Sequence, residues 1–131
     1  MSSILVTGAC SGIGLAITKH FASTSTPASP NRIAMLDISA TTGPQVAEQV
    51  SAEFPSAQIT FRKSDVRSWE EQASVFKELY STHLGGKLDI VVANAGVSEQ
   101  GRTSLVTIDG EEEPVKPRTG VLDINLLGVV Y

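Results

Sequence analysis

The chain has 131 residues, 41% of them apolar and 18% charged, a composition that fits one globular domain long enough to bury a core. Its net charge of −4 offers no excess of cations to a phosphate backbone or an anionic bilayer, so neither a nucleic-acid nor a membrane partner is expected. The lone Cys10 excludes an intramolecular disulfide and a cysteine metal cluster, and no apolar run is long enough to span a bilayer, so a cytoplasmic protein without a metal site is expected.

Ile4 to Val6 is a short run of β-formers that ends in a glycine cluster at Gly8. From Ile13 the period changes, and Ile13, Ala16, Ile17, His20 and Phe21 fall at helical spacing. A Ser/Thr/Pro-rich connection, Ser23 to Asn31, follows; as a surface insertion it is cheap, since each doubling of loop length adds about 0.6 kcal/mol. Arg32 to Ile38 reads as a second strand with a carboxylate near its end, and a helix is expected from Pro44 through Glu53, stopped by Pro55, with Val46, Ala47, Val50 and Phe54 apolar.

Gln58 to Phe61 makes a third strand that leads into "KSDV". Ser68 and Glu71 have capping-box spacing ahead of a helix with Ala73, Phe76, Leu79 and Tyr80 on its apolar face, and Gly85 and Gly86 end it. Tyr80 is therefore read as core. Leu88 to Ala93 is the most uniformly apolar strand, the pattern of one buried on both faces of a parallel sheet. A loop with Glu111 to Glu113, read as a solvated edge, leads to a last helix near Val121. Strands alternating with helices imply an α/β fold: a Rossmann-type doubly wound parallel sheet of four strands with flanking helices, all of residues 1–131 in one domain.

The chemistry concentrates in "TGACSGIG", where Gly8, Gly12 and Gly14 stand between the first strand and the first helix. A pyrophosphate needs backbone to approach it without Cβ atoms, and it gains from the unpaired amides and dipole of a helix N-terminus. Gly8 would permit the tight turn, Gly12 the close approach and Gly14 the packing of helix on strand, which makes Thr7, Gly8, Cys10, Ser11, Gly12, Ile13 and Gly14 candidate cofactor-binding residues. No Gly-Lys-Ser/Thr follows, so this is not a P-loop. Cys10 is read as a small buried residue, and His20 and His83, each late in a helix where a cation suits the dipole, as unconnected.

Asp37, with Ile38 beside it, lies at the end of the second strand, where an acid can accept both hydroxyls of an adenosine ribose. The same acid repels a 2′-phosphate: at about 4 Å and an effective dielectric near 20, each unit pair costs about 4 kcal/mol. Neither Cys10 nor Ser11 supplies a cation to such a phosphate. The expected cofactor is NAD rather than NADP.

These residues resemble the short-chain dehydrogenase/reductase family over almost the whole chain. "TGACSGIG" matches its TGxxxGxG motif, Asp37 its NAD-selecting acid, Asp65-Val66 its adenine contact, and Asn94, Ala95 and Gly96 its "NAG" motif, with Ala93 standing where the family has a second Asn. The resemblance implies that Asp65 hydrogen-bonds the adenine amino group, that Val66 contributes backbone beside the ring, that Asn94 braces the central strands, and that Ala95 and Gly96 pass close to the ribose. It also implies that Asn125, in "DINLLG", is the catalytic helix asparagine that holds a water in the proton relay. The family's Ser and Tyr-x-x-x-Lys are not found here, and Tyr131 is too near Asn125 to be that tyrosine. The resemblance thus implies the cofactor-binding half of an enzyme moving hydride between NAD and a secondary alcohol or ketone, a small-molecule substrate. On this reading the chain alone is inactive, its fourth strand is an unprotected edge, and the Val121–Tyr131 helix presents an apolar face suited to self-association or prone to aggregation. A non-catalytic dinucleotide-binding module and an S-adenosylmethionine-dependent methyltransferase are the alternatives.

Overall fold

The computed structural model describes residues 1–98 and 119–131. Four parallel strands, β1 (Ser3–Thr7), β2 (Arg32–Asp37), β3 (Gln58–Lys63) and β4 (Ile90–Val92), lie in the order β3-β2-β1-β4. Three helices connect them: α1 (Gly12–Ser23), α2 (Thr42–Glu53) and α3 (Trp69–Thr82). The chain ends in one helical run made of α4 (Gly120–Leu122), a π-helical segment (Asp123–Leu127) and α5 (Gly128–Val130). This is the doubly wound α/β sheet expected from the alternation of elements.

The period-two alternation of the strands decides which face each residue serves. Ile4, Val6, Ile33 and Met35 are buried on one side among residues of α1 and α2, including Ala22, Ala47 and Val50. Leu5, Ala34 and Leu36 point to the other side and meet Leu79 and Leu84 from α3 and its end. Both faces of β1 and β2 are covered, so their sequences are continuous apolar runs.

Several details differ from the sequence reading. In α1 the buried stripe is Gly14, Thr18 and Ala22, while Ile13 is 73% exposed, and Ala16 and His20 face solvent. Small residues make this contact because the helix start lies against the first loop: a Cβ on Gly14 would stand 2.1 Å from the Gly8 carbonyl oxygen. In α3 the inward residues are Gln72, Val75, Phe76 and Leu79; Tyr80 is 49% exposed and is not core, and Ala73 is also exposed. Val91 is half exposed, against the expectation of a strand buried on both faces. It pairs with Leu5 at the sheet edge, where among the described strands only β1 is beside it.

The Ser68–Glu71 capping box forms in one direction only. Ser68 Oγ accepts from Glu71 N at 3.2 Å, but the Glu71 carboxylate turns to Lys63 Nζ at 2.6 Å and to Asp65 N at 3.3 Å. The Ser23–Asn31 connection is ordered around Asn31, whose side-chain amide donates to Phe21 O and Thr24 Oγ1, both at 3.0 Å, and accepts from Ser2 N at 2.9 Å. His83 is half-buried below the sheet, and burial, with Arg32 and Arg62 nearby, holds its pKa below the usual histidine range; its place at the end of α3 does not favour the cation. The Glu111 to Glu113 loop lies outside the described residues.

Candidate functional site

The C-terminal ends of the four strands open into one cleft of about 470 Å³, within the size range of small-molecule sites. It sits where the chain, having laid β2 and β3 on one side of β1, crosses to lay β4 on the other, the switch point at which open α/β sheets bind ligands. Eleven predicted residues line it: Gly8, Ser11, Gly12, Ile13, Asp37, Ile38, Asp65, Val66, Asn94, Ala95 and Gly96.

Local geometry explains why the glycine loop is shaped as it is. Gly8 and Gly12 take φ of +62° and +49°, the left-handed region where a side chain is strained. Around Gly12 a Cβ would meet nothing within 4 Å among the described residues, so its absence leaves open space in the cleft. Ser11, the N-cap of α1, makes no capping hydrogen bond with its side chain; the orphan amides of the first turn are therefore not consumed by a side-chain cap. These two features fit an anionic group at the helix N-terminus.

The remaining predicted residues sit behind this surface and hold it. Thr7 Oγ1 accepts from the main-chain N–H groups of Asn94 and Ala95, both at 3.0 Å. Asn94 Nδ2 donates to Thr7 O at 3.0 Å and to Gly8 O at 3.3 Å, tying β4 to the glycine loop. Cys10 N–H donates to Asp37 Oδ2 at 3.0 Å, and Ser39 N–H to Asp37 Oδ1 at 3.3 Å. Burial and the Asp37 carboxylate push the Cys10 thiol up to about 12, so it stays protonated. Asp37 thus staples the glycine loop to the end of β2 while its carboxylate still lines the cleft.

The loop after β3 is held as tightly. Gln72 Nε2 donates to Val66 O at 2.7 Å and reaches Gly128 O at 3.4 Å, so α3 and the terminal helix close under it. Asp65 is gripped by Arg67 through its main-chain N, Nε and Nη2, at 2.6–3.1 Å, and that hydrogen bonding holds the Asp65 carboxyl below the usual carboxylate range.

Asn125 lies in the π-helical segment and does not line the cleft. Its Oδ1 accepts from Val97 N and its Nδ2 donates to Val97 O, both at 2.9 Å. Both ends of the amide are used on the backbone just after "NAG". The side-chain amide thus braces this segment. Ser64, Val97 and Ile124 also line the cleft and were missed; each is adjacent in sequence to a singled-out residue or motif, which is the one signal that pointed to them. Ser64 is 3% exposed and its Oγ has no partner among the described residues.

The model of the family described as short chain dehydrogenase matches residues 2–131, which favours a dehydrogenase over a methyltransferase reading. Among curated relatives, the NADP-dependent dehydrogenase clz5 of Cochliobolus lunatus is 35% identical over 130 residues, 97% of this chain and 42% of that protein. The 5′-hydroxyaverantin dehydrogenase of Dothistroma septosporum is 33% identical over 98% of this chain and 42% of its own length. Among solved structures, the alcohol dehydrogenase of the archaeon Thermococcus sibiricus, complexed with 5-hydroxy-NADP, superposes with a TM-score of 0.76 at 26% identity, covering 98% of this chain and 48% of that one. The chain therefore spans less than half the length of these relatives. No helix among the described residues is long and apolar enough to cross a membrane.

Proposed function

Because the chain belongs to the short-chain dehydrogenase family, we propose that its 131 residues form the dinucleotide-binding half of an oxidoreductase acting on a secondary alcohol or the matching ketone. The observation that carries this reading is the cleft at the sheet's C-terminal edge. It joins an open, uncapped helix N-terminus to two carboxylates, Asp37 and Asp65.

The roles follow from what each group has left to offer. The amides of α1 around Gly12 and Ile13 take the pyrophosphate, because Ser11 does not occupy them with its side chain. Asp37, fixed by Cys10 and Ser39, accepts the adenosine ribose hydroxyls with its remaining lone pairs. Asp65 and Val66 bind the adenine edge, and Ala95 and Gly96 pass beside the second ribose. A bound nicotinamide supplies the hydride chemistry. Asn125 acts in a proton relay through its main-chain carbonyl oxygen, since its amide is spent on Val97. Tyr80 is followed by Leu84 four residues on and cannot provide the Tyr-x-x-x-Lys acid/base; without that pair, roughly 10²- to 10⁴-fold of the rate is absent. Binding without turnover is expected from these residues alone.

We favour NAD over NADP on the strength of Asp37. The cation nearest in register, Lys63, is paired with Glu71 at 2.6 Å, and Ile38 and Ser39 follow Asp37 where a phosphate-binding cation would help. The named relatives support the second reading, NADP, since one is an NADP-dependent dehydrogenase. A cytoplasmic setting suits a chain whose one cysteine, Cys10, is free. Self-association through the terminal helix suits the exposed Leu122, Leu126, Val129 and Val130. Calorimetric titration with NAD, NADP and S-adenosylmethionine tests the cofactor assignment. NAD binding at least tenfold tighter than NADP, with the gap narrowed in Asp37→Ser, is the expected outcome. Tighter NADP binding establishes the second reading, and failure of both dinucleotides to bind refutes the cofactor site.

A further inference from the structure

We propose that Arg67 is a positioning residue that makes the cleft selective for a purine with an exocyclic amino group. The inference rests on the dinucleotide reading above but concerns a residue to which that reading gives no role.

Arg67 places its main-chain N and Nε on Asp65 Oδ1 at 3.0 Å each, Nε on Oδ2 at 3.1 Å and Nη2 on Oδ2 at 2.6 Å. A carboxylate has about four lone-pair sites. The fork fills most of them, from a residue that is not among those lining the cleft, and fixes the plane of the group. What remains facing the cleft is acceptor capacity, which a 6-amino group satisfies and a 6-oxo group does not.

The pair has little other reason to be built this way. The Arg67 side chain is 50% exposed, and an ion pair in that setting contributes little to stability because solvent screens it. The neighbouring polar groups are already committed. Glu71 holds Lys63 and the Asp65 N–H, and Gln72 holds the Val66 carbonyl. With the Arg67 side chain removed, only the main-chain N–H of residue 67 stays on Oδ1 among the described contacts; Oδ2 loses its partners, the group swings about that one bond and hydrates, and a ligand must reorder it on binding.

The test is calorimetric binding of NAD and of nicotinamide hypoxanthine dinucleotide, in which a 6-oxo group replaces the amino group, to the wild-type chain, Arg67→Met and Arg67→Lys. A hydrogen bond to a charged acceptor corresponds to roughly ten- to hundredfold in affinity, so the wild type should prefer NAD by about tenfold or more. In Arg67→Met that preference should fall at least threefold through weaker NAD binding, with hypoxanthine dinucleotide binding and the melting temperature unchanged. Arg67→Lys should lie between, because an ammonium keeps the charge without the planar fork. Equal loss of both ligands in Arg67→Met indicates a structural role and overturns the inference. So does an unchanged or larger preference, or full rescue by lysine, which assigns the effect to charge alone. A wild type that binds both equally removes the base contact itself, and one that binds neither refutes the cofactor reading instead.

Discussion

Gly14→Ala puts one methyl group at the most crowded point of the site. Its Cβ would stand 2.1 Å from Gly8 O, 2.8 Å from Gly8 C and 2.5 Å from Asn94 Nδ2. The first two are backbone atoms of a turn held at φ +62°, so they have little room to yield. Relief requires the glycine loop and α1 to separate by an ångström or more. That movement loosens the Asn94 contacts to Thr7 O and Gly8 O, each worth about 0.5–1.5 kcal/mol, and adds overpacking strain of about 1–3 kcal/mol. Against this, Ala in place of Gly favours helix by up to about 1 kcal/mol. The net loss is about 2–4 kcal/mol, a large part of the margin of a small domain. Gly12→Ala is the paired control: its Cβ meets no atom of the described residues within 4 Å and costs only the left-handed conformation, about 1–2 kcal/mol, yet it projects where the pyrophosphate is proposed to sit. Urea unfolding and dinucleotide titration of both variants separate the effects. Gly14→Ala should lose more stability than Gly12→Ala, while both bind NAD at least tenfold more weakly. Wild-type stability in Gly14→Ala refutes the packing argument.

Three further outcomes are expected. Burial holds the His83 pKa below its ordinary 6.5, so the unfolded chain binds more protons between the two values. Stability therefore rises with pH over a window that ends near 6.5; a urea midpoint series from about pH 5 to 7 should show a slope that shrinks in His83→Gln, and an identical slope in both contradicts the assignment. With its thiol pushed up to about 12 from 9.0, Cys10 should hold about a thousandfold less thiolate at pH 8 than an ordinary thiol. Native alkylation by iodoacetamide, followed by mass spectrometry, should be correspondingly slow, and labelling at the unfolded rate would show that the thiol is not shielded. Ser64→Ala removes a buried hydroxyl that has no partner among the described residues, so denaturant unfolding should show no loss, or a gain of up to about 1 kcal/mol; a loss beyond about 1 kcal/mol means that the hydroxyl is bonded.

The sheet was legible because β1 and β2 bury both faces, and uninterrupted β-formers between turn signals have one natural reading. Helix faces were less legible. The sequence pattern weights large apolar side chains, so Ile13 and Tyr80 were assigned inward. The real contacts of α1 run through Gly14, Thr18 and Ala22, whose smallness lets the helix sit close to the first loop. Nothing in periodicity distinguishes a glycine that packs from one that merely bends. Val91 shows a different limit: its sequence fits a central strand, but exposure depends on what lies beside it, and among the described strands β1 alone does.

The site was legible as a set of positions, and less so as a division of labour. Sequence motifs name residues by what they would offer a ligand, yet the structure shows that most of their polar capacity is spent within the chain. Asp37 gives one oxygen to Cys10 N–H and the other to Ser39 N–H; Asn94 gives its amide to the glycine loop; Asn125 gives both amide atoms to Val97. All but the local Asp37–Ser39 bond join two different segments at the rim of the sheet. Such bonds hold the acceptors in place before a ligand arrives, and that reduces the ordering cost of binding. The same reasoning brings Arg67 into view. A residue with no motif of its own becomes informative once one asks what orients Asp65, and the fork that answers the question comes from a side chain that is itself half exposed.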